Sequence, residues 1–176
     1  FWDSVTKFSP ADIYADFGFK TISTNPCGEI PLCAYDSCRL MVVNLLSFVQ
    51  NPFTEQSAFD FNAFSLVVQQ AQRLMDDLID LELEQVEKII AKIEADPEPE
   101  EIKQGELSLW RKVREKAVNG RRTGLGVTAI GDMLAALGIR YGSDESIEFV
   151  EEVYKTLNLN AYRSSCQLAK ERGAFP

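Results

Sequence analysis

The densest chemistry in this chain lies in Asn25-Pro26-Cys27-Gly28-Glu29, which puts an amide, a thiol and a carboxyl within five positions. Pro26 and Gly28 keep the segment out of regular helix. If the backbone is extended, side chains alternate, and Asn25, Cys27 and Glu29 share one face. A hydrogen-bonding group, a sulfur and a base would then meet in one space. The plainer reading is a turn that holds a buried cysteine. Five residues alone do not decide between the two.

The rest of the chain narrows the chemistry. There is no histidine among its 176 residues, which removes Ser-His-Asp and Cys-His nucleophiles from this segment. Zinc would need four thiolates. Cys27, Cys33, Cys38 and Cys166 could supply them, but their spacing lacks the close pairs of zinc modules, so this alternative is disfavoured. Asp76, Asp77, Asp80, Glu82 and Glu84 form a carboxylate cluster in sequence. Di-iron bundles pair such acids with Glu-x-x-His, which cannot occur here, so a solvated acidic face is preferred. Gly124-Leu125-Gly126-Val127-Thr128-Ala129 fits a dinucleotide fingerprint, but it follows no hydrophobic strand. A Gly-rich strand lying close to other backbone is the better reading. Cys166 sits among apolar residues on a helical pattern and reads as packing.

The elements that must position the loop follow from periodicity. Ser9-Pro10-Ala11-Asp12 reads as a short helix start with Ser9 as N-cap, ending before Gly18, and Phe19 to Ile22 as extended. The loop spans about 24–38, a long irregular connection of the kind that carries function. Arg39 to Gln50 reads as a buried strand, with or without a continuation into helix, ended by Asn51-Pro52. Helical spacing runs through about 60–118, as one helix or two in tandem up to Ala95 and another after Asp96-Pro97-Glu98-Pro99. Asn119-Gly120 stops it, with Gly120 at the usual C-terminal position. The remainder, 120–176, reads as the Gly-rich strand, a helix from Ala129 to Leu137, and a last helix capped by Ser143 and ended by Gly173. Strands among several helices fit part of an α/β architecture.

Composition sets outer bounds. The net charge of −9 argues against a nucleic-acid polymer as partner, because phosphate backbones need clustered Lys and Arg. No apolar run reaches the length of a membrane span, and the expected compartment is the cytoplasm with thiols reduced. Both ends, Phe1-Trp2 and Phe175-Pro176, look like cuts from a larger protein.

Two stretches together carry a resemblance. Asn25-Pro-Cys-Gly-Glu-Ile-Pro-Leu32, then Tyr35-Asp-Ser-Cys38, then Asn44-Leu45, closely resembles the active-site loop of ribonucleotide reductases, with the adenosylcobalamin-dependent class the nearest match. Independently, Gly120-Arg-Arg-Thr-Gly-Leu-Gly-Val127, Gly131-Asp-Met-Leu134, Leu137-Gly-Ile-Arg-Tyr-Gly142 and Ala169-Lys-Glu-Arg-Gly-Ala-Phe-Pro176 resemble the segments that follow that loop, in the same order. The resemblance covers nearly the whole chain. It implies a helix-rich α/β fragment of the family's ten-stranded α/β barrel, with residues 1–176 forming part of that single catalytic domain.

The resemblance also implies roles. Cys27 matches the cysteine that becomes a thiyl radical and takes hydrogen from the ribose 3′ carbon. Glu29 matches the base for the 3′-hydroxyl, and Asn25 the amide that binds the ribose hydroxyls. Cys38 matches one thiol of the reducing pair, whose partner lies on an earlier strand of the family fold. The expected activity is reduction of ribonucleoside di- or triphosphates to deoxyribonucleotides for DNA synthesis. Adenosylcobalamin is the expected cofactor, deoxynucleoside triphosphates or ATP the expected effectors, and a thioredoxin-like protein the expected reductant. The full-length enzyme is expected as a homodimer. The alternative for this chain is a structural fragment with no activity or ligand of its own. Arg39-Leu40-Met41-Val42 departs from the Asn-Leu-Gly-Ser of many family members, and Cys33 matches no catalytic position.

Overall fold

The structure, a computed structural model, describes residues 2–8, 12–28 and 30–176, with residue 8 described by its backbone alone. The proposed N-cap Ser9 and its helix start fall outside the described residues. The chain forms two compact units. One comprises Phe1–Arg39, Asp77–Gly124 and Phe175–Pro176; the other comprises Leu40–Asp76 and Leu125–Ala174.

The first unit opens with a helix that periodicity did not suggest, α1 (Trp2–Phe8). A 3-10 turn at Ala15–Phe17 ends on Gly18, whose φ of 86° is the left-handed conformation that glycine adopts without strain. Two short strands follow, β1 (Ser23–Thr24) and β2 (Pro31–Leu32), paired antiparallel with Ser23 opposite Leu32 and Thr24 opposite Pro31. The later half of the long helix α2 (Phe61–Ala95) and helix α3 (Glu100–Gly120) form a helical hairpin. It closes over Val86, Ile90, Ile93 and Leu107, with Ile89 and Trp110 against them. Pro97 and Pro99, which cannot donate an amide to a helix, break the chain between the two.

The end of α3 departs from expectation. Arg121, not glycine, takes the left-handed cap position, at φ 39°. Gly120 is the last helical residue, and a Cβ there would stand 2.6 Å from the Phe19 ring. Glycine is needed for the close approach of that ring, not for its backbone freedom.

The second unit holds all but the first residue of β3 (Arg39–Asn44) and all but the first two of β6 (Thr123–Thr128), which pair in one sheet. β3 is not buried on both faces as its apolar run suggested. Val43 is buried while Leu40 and Val42 are exposed, the alternation of a half-covered strand. The chain continues through a 3-10 turn at Leu45–Phe48 into β4 (Val49–Gln50), antiparallel to β5 (Ala58–Phe59). Asp60 then caps α2, its carboxylate accepting the Ala63 amide at 2.9 Å. The helix is continuous through Ala95, which decides between one helix and two. Helices α4 (Ile130–Leu137) and α5 (Asp144–Arg172) complete the unit. Ser143 caps α5 as expected, accepting from the Ser146 amide.

Phe64, Val68 and Ala71 of α2, Met133 and Leu134 of α4, and Val153 and Leu157 of α5 meet Val43 and Leu45 in the core. Phe48, Phe59 and Phe64 stack edge-on or tilted around it, with Phe48 and Phe64 centroids 5.3 Å apart. Two buried polar residues of α5 are satisfied from α2. Asn160 bonds Gln69 and Ser65, and the Ser164 hydroxyl donates to the Gln69 carbonyl at 2.8 Å. Cys166 is exposed, against the expectation of a packing role. Ser164 and Leu168 face inward, and a residue two positions along a helix from either lies on the opposite side.

Candidate functional site

Cys27 sits at the tip of the β1–β2 hairpin. The Gly28 amide donates to the Asn25 carbonyl at 3.0 Å, closing a β-turn across Asn25-Pro26-Cys27-Gly28. The sequence is well suited to it. Asn favours the first position, Pro26 presets φ at the second, and Gly28 carries φ 78° as the chain turns back. Asn25 then locks the register. Its amide donates to the Ile30 carbonyl at 3.2 Å, and its side-chain oxygen accepts the Ile30 amide at 3.0 Å. The Cys27 thiol is exposed, not buried.

This geometry replaces the argument from alternation. Side chains alternate only in extended backbone, and residues 25–28 turn. Asn25 uses its side-chain oxygen inside the loop. Glu29, the candidate base, lies outside the described residues.

Residues 33–38 form a second turn. Tyr35 adopts φ 64°, and the Lys112 ammonium lies 5.1 Å from its ring centre. Cys33 is buried, its thiol donating to Asp36 Oδ2 at 3.5 Å. Burial first, and then the Asp36 charge, push the Cys33 thiol pKa up, so it is held protonated. Asp36 is tied down on both sides. Arg122 Nε donates to its Oδ2 at 2.6 Å, and the Ser37 amide to its Oδ1 at 2.9 Å. Among the described residues Cys27, Cys33 and Cys38 do not gather into one metal-sized cluster, which speaks against the four-thiolate alternative.

Cys38 is half-buried, its thiol directed at the Arg39 carbonyl, 3.8 Å away. Its two neighbours share one anchor. The Ser37 hydroxyl donates to Glu82 Oε1 at 3.3 Å, and Arg39 Nε donates to Glu82 Oε2 at 2.5 Å. Arg39 Nη1 returns to the Ser37 carbonyl at 3.2 Å and reaches the Arg122 carbonyl at 3.5 Å. The Arg39 side chain is only 5% exposed, that of Glu82 31%.

Sequence reasoning missed this anchor. Glu82 was read with the acidic face of α2, yet its acids serve arginines: Glu82 holds Arg39 and Asp80 holds Arg121 in the first unit, and Asp76 holds Arg172 in the second. The signal that could have found it is Arg39 itself, a charge opening an apolar strand, which requires a buried partner. The Gly-rich stretch after Arg122 is a sheet strand, as preferred over a dinucleotide loop.

Comparison with known proteins fits this arrangement. Residues 18–176 match the family described as ribonucleotide reductase, barrel domain. A vitamin B12-dependent ribonucleoside-diphosphate reductase of Thermoplasma acidophilum is 34% identical over the whole chain, which spans 19% of that protein. One of the same name from Mycobacterium tuberculosis is 33% identical over 88% of the chain, which spans 18% of it. The chain thus covers about a fifth of the length of these relatives. The class Id ribonucleotide reductase alpha subunit of Actinobacillus ureae shares the fold, with a TM-score of 0.63 over 93% of this chain and 26% of its own, at 21% identity. The helix-rich α/β arrangement described above is accordingly a piece of that barrel, and the chain belongs to the ribonucleotide reductase family.

Proposed function

We propose that the protein to which this chain belongs reduces ribonucleoside diphosphates to 2′-deoxyribonucleotides by a thiyl-radical mechanism. The observation that carries the reading is the register-locked turn that holds Cys27 exposed at a hairpin tip, in a chain of this family. A turn that fixes one sulfur can hold it near a single substrate carbon, as hydrogen abstraction requires. Cys27 takes the 3′ hydrogen. Glu29 accepts the 3′-hydroxyl proton. Asn25 offers its side-chain amide nitrogen to the ribose hydroxyls, its oxygen being engaged by Ile30.

Cys38 and a partner thiol elsewhere in the full protein supply the two electrons. Two thiols become one disulfide, the 2′ carbon exchanges its C–O bond for C–H, and the hydroxyl leaves as water. Each disulfide must be reduced before the next turnover, which a thioredoxin-like dithiol would do by exchange. Deoxynucleoside triphosphates or ATP act as effectors on a full-length dimer, in the cytoplasm. No helix among the described residues is long and apolar enough to cross a membrane.

The names of the relatives support adenosylcobalamin as the cofactor. This chain has no histidine, and the group it would present for oxidation to a thiyl radical is the exposed Cys27 thiol. Adenosylcobalamin, when bound, supplies the one-electron oxidation that side chains cannot. The chain by itself, a fifth of its relatives' length, is expected to be a folded piece without turnover.

The test is Cys27→Ser in the full-length protein. Loss of both 3′-tritium release and deoxynucleotide formation is expected. Retained reduction would mean that the radical site lies elsewhere.

A further inference from the structure

We infer that Glu82 is a positioning residue for the Cys38 thiol, an inference that rests on the reading of Cys38 as a reducing thiol. The two oxygens of this one carboxylate take hydrogen bonds from the residues on either side of Cys38: Ser37 Oγ at 3.3 Å and Arg39 Nε at 2.5 Å. Arg39 Nη1 closes the ring on the Ser37 carbonyl at 3.2 Å. The Cα atoms flanking residue 38 are therefore tethered to one point on α2, 43 or more positions away in sequence. The next residue upstream is held as well, by the Arg122–Asp36 ion pair, with the Asp36 side chain 2% exposed. A backbone pinned on both sides leaves Cys38 little freedom beyond its own χ1 rotation, which thiol–disulfide chemistry needs for an in-line approach of two sulfurs.

The Glu82 carboxylate accepts its hydrogen bonds from Ser37 and Arg39, so it acts on Cys38 through the residues on either side. Its effect is confined to the step that consumes Cys38. The hydrogen abstraction assigned to Cys27 uses a different turn with its own hydrogen bonds.

The test uses the full-length reductase with Glu82→Gln, Glu82→Asp, Cys38→Ser and, as a control, Glu87→Gln, which breaks an exposed pair with Arg114. Two rates are read in each: tritium released from the substrate 3′ carbon, and deoxynucleotide formed. In Glu82→Gln, deoxynucleotide formation is expected to fall at least tenfold with 3′ release within threefold of the parent. Glu82→Asp is expected to recover part of the reduction, and Glu87→Gln to leave both rates unchanged. If Glu82→Gln does not fold, the same split read in Glu82→Asp decides. Parental reduction in the Glu82 variants, or an equal fall of both rates, overturns the inference and leaves Glu82 a merely structural residue. Cys38→Ser separates the two failures. If it retains reduction, the reading of Cys38 itself is wrong and the inference falls with it. If it abolishes reduction while Glu82→Gln does not, only the inference falls.

Discussion

Replacing Glu82 with Gln should cost this chain far more stability than replacing Glu87 with Gln, although both are acids on α2 paired to an arginine. Arg39 is 5% exposed in its side chain, and its Nη2 is buried with no hydrogen-bond partner among the described residues. Taking one member from a buried ion pair costs about 3–5 kcal/mol, because a charge is left without compensation. Glu82 is 31% exposed, so water already screens part of the interaction. Arg39 also keeps its bonds to the Ser37 and Arg122 carbonyls. We therefore expect about 2–3 kcal/mol. The Glu87–Arg114 pair, with side chains 53% and 47% exposed, should yield at most about 1 kcal/mol. Urea unfolding of the purified chain followed by tryptophan fluorescence provides the measurement, since Trp110 packs on the apolar cluster of the same unit. Losses equal within about 0.5 kcal/mol, the spread of ordinary surface substitutions, would refute the claim that burial of Arg39 sets the difference.

Four further outcomes follow from particular contacts. Phe64 is fully buried amid Phe48 and Phe59, so Phe64→Ala should lose about 3–5 kcal/mol in urea unfolding followed by far-UV circular dichroism, which reads the helices of the second unit; a loss under about 1 kcal/mol would mean the site collapses freely. Gly120→Ala should lower stability by about 1–2 kcal/mol by pushing the Phe19 ring aside, and a gain would show that the ring swings away and helix propensity wins. Cys33 should be alkylated on the order of tenfold more slowly than Cys27 at pH 8, as followed by mass spectrometry. Because its folded-state pKa is raised, the stability it contributes is whole below the unfolded thiol pKa and is lost as pH rises through the folded value. Cys33→Ala should flatten the stability profile at alkaline pH, and an unchanged slope there would count against the raised pKa.

Much of this fold is legible because it is local. The apolar spacing from Phe64 to Ile93 declares α2, and Ser143 before Asp144 and Glu145 declares the start of α5. Pro26 and Gly28 declare a turn, but not which way its side chains point, since a turn abolishes the alternation that an extended strand would have. The Cys166 reading failed on phase: the inward stripe runs through Val153, Leu157, Asn160, Ser164 and Leu168, and two of its members are polar, so hydropathy alone set the stripe wrongly. Gly120 was assigned to its commonest use, a left-handed cap, when its absent Cβ makes room for a ring a hundred positions upstream. Arg39 with Glu82 and Arg122 with Asp36 were invisible for the same reason, because partners so far apart leave no period to read. The turn at Cys27 was legible through its neighbours, while the brace around Cys38 needed coordinates.

The hairpin tip has a consequence for how such a site can change over time. The hydrogen bonds that shape it run from Asn25 to Gly28 and from Asn25 to Ile30, and the left-handed corner belongs to Gly28. Cys27, at the third position of the turn, is not among the residues with positive φ, so its backbone conformation is one that most residues adopt. The side chain at position 27 is thus carried as interchangeable cargo on a mount specified by the residues around it. The side chain at position 27 can be exchanged by one substitution without refolding the loop, whereas a change at Asn25 or Gly28 would disturb the aim of whatever residue 27 carries.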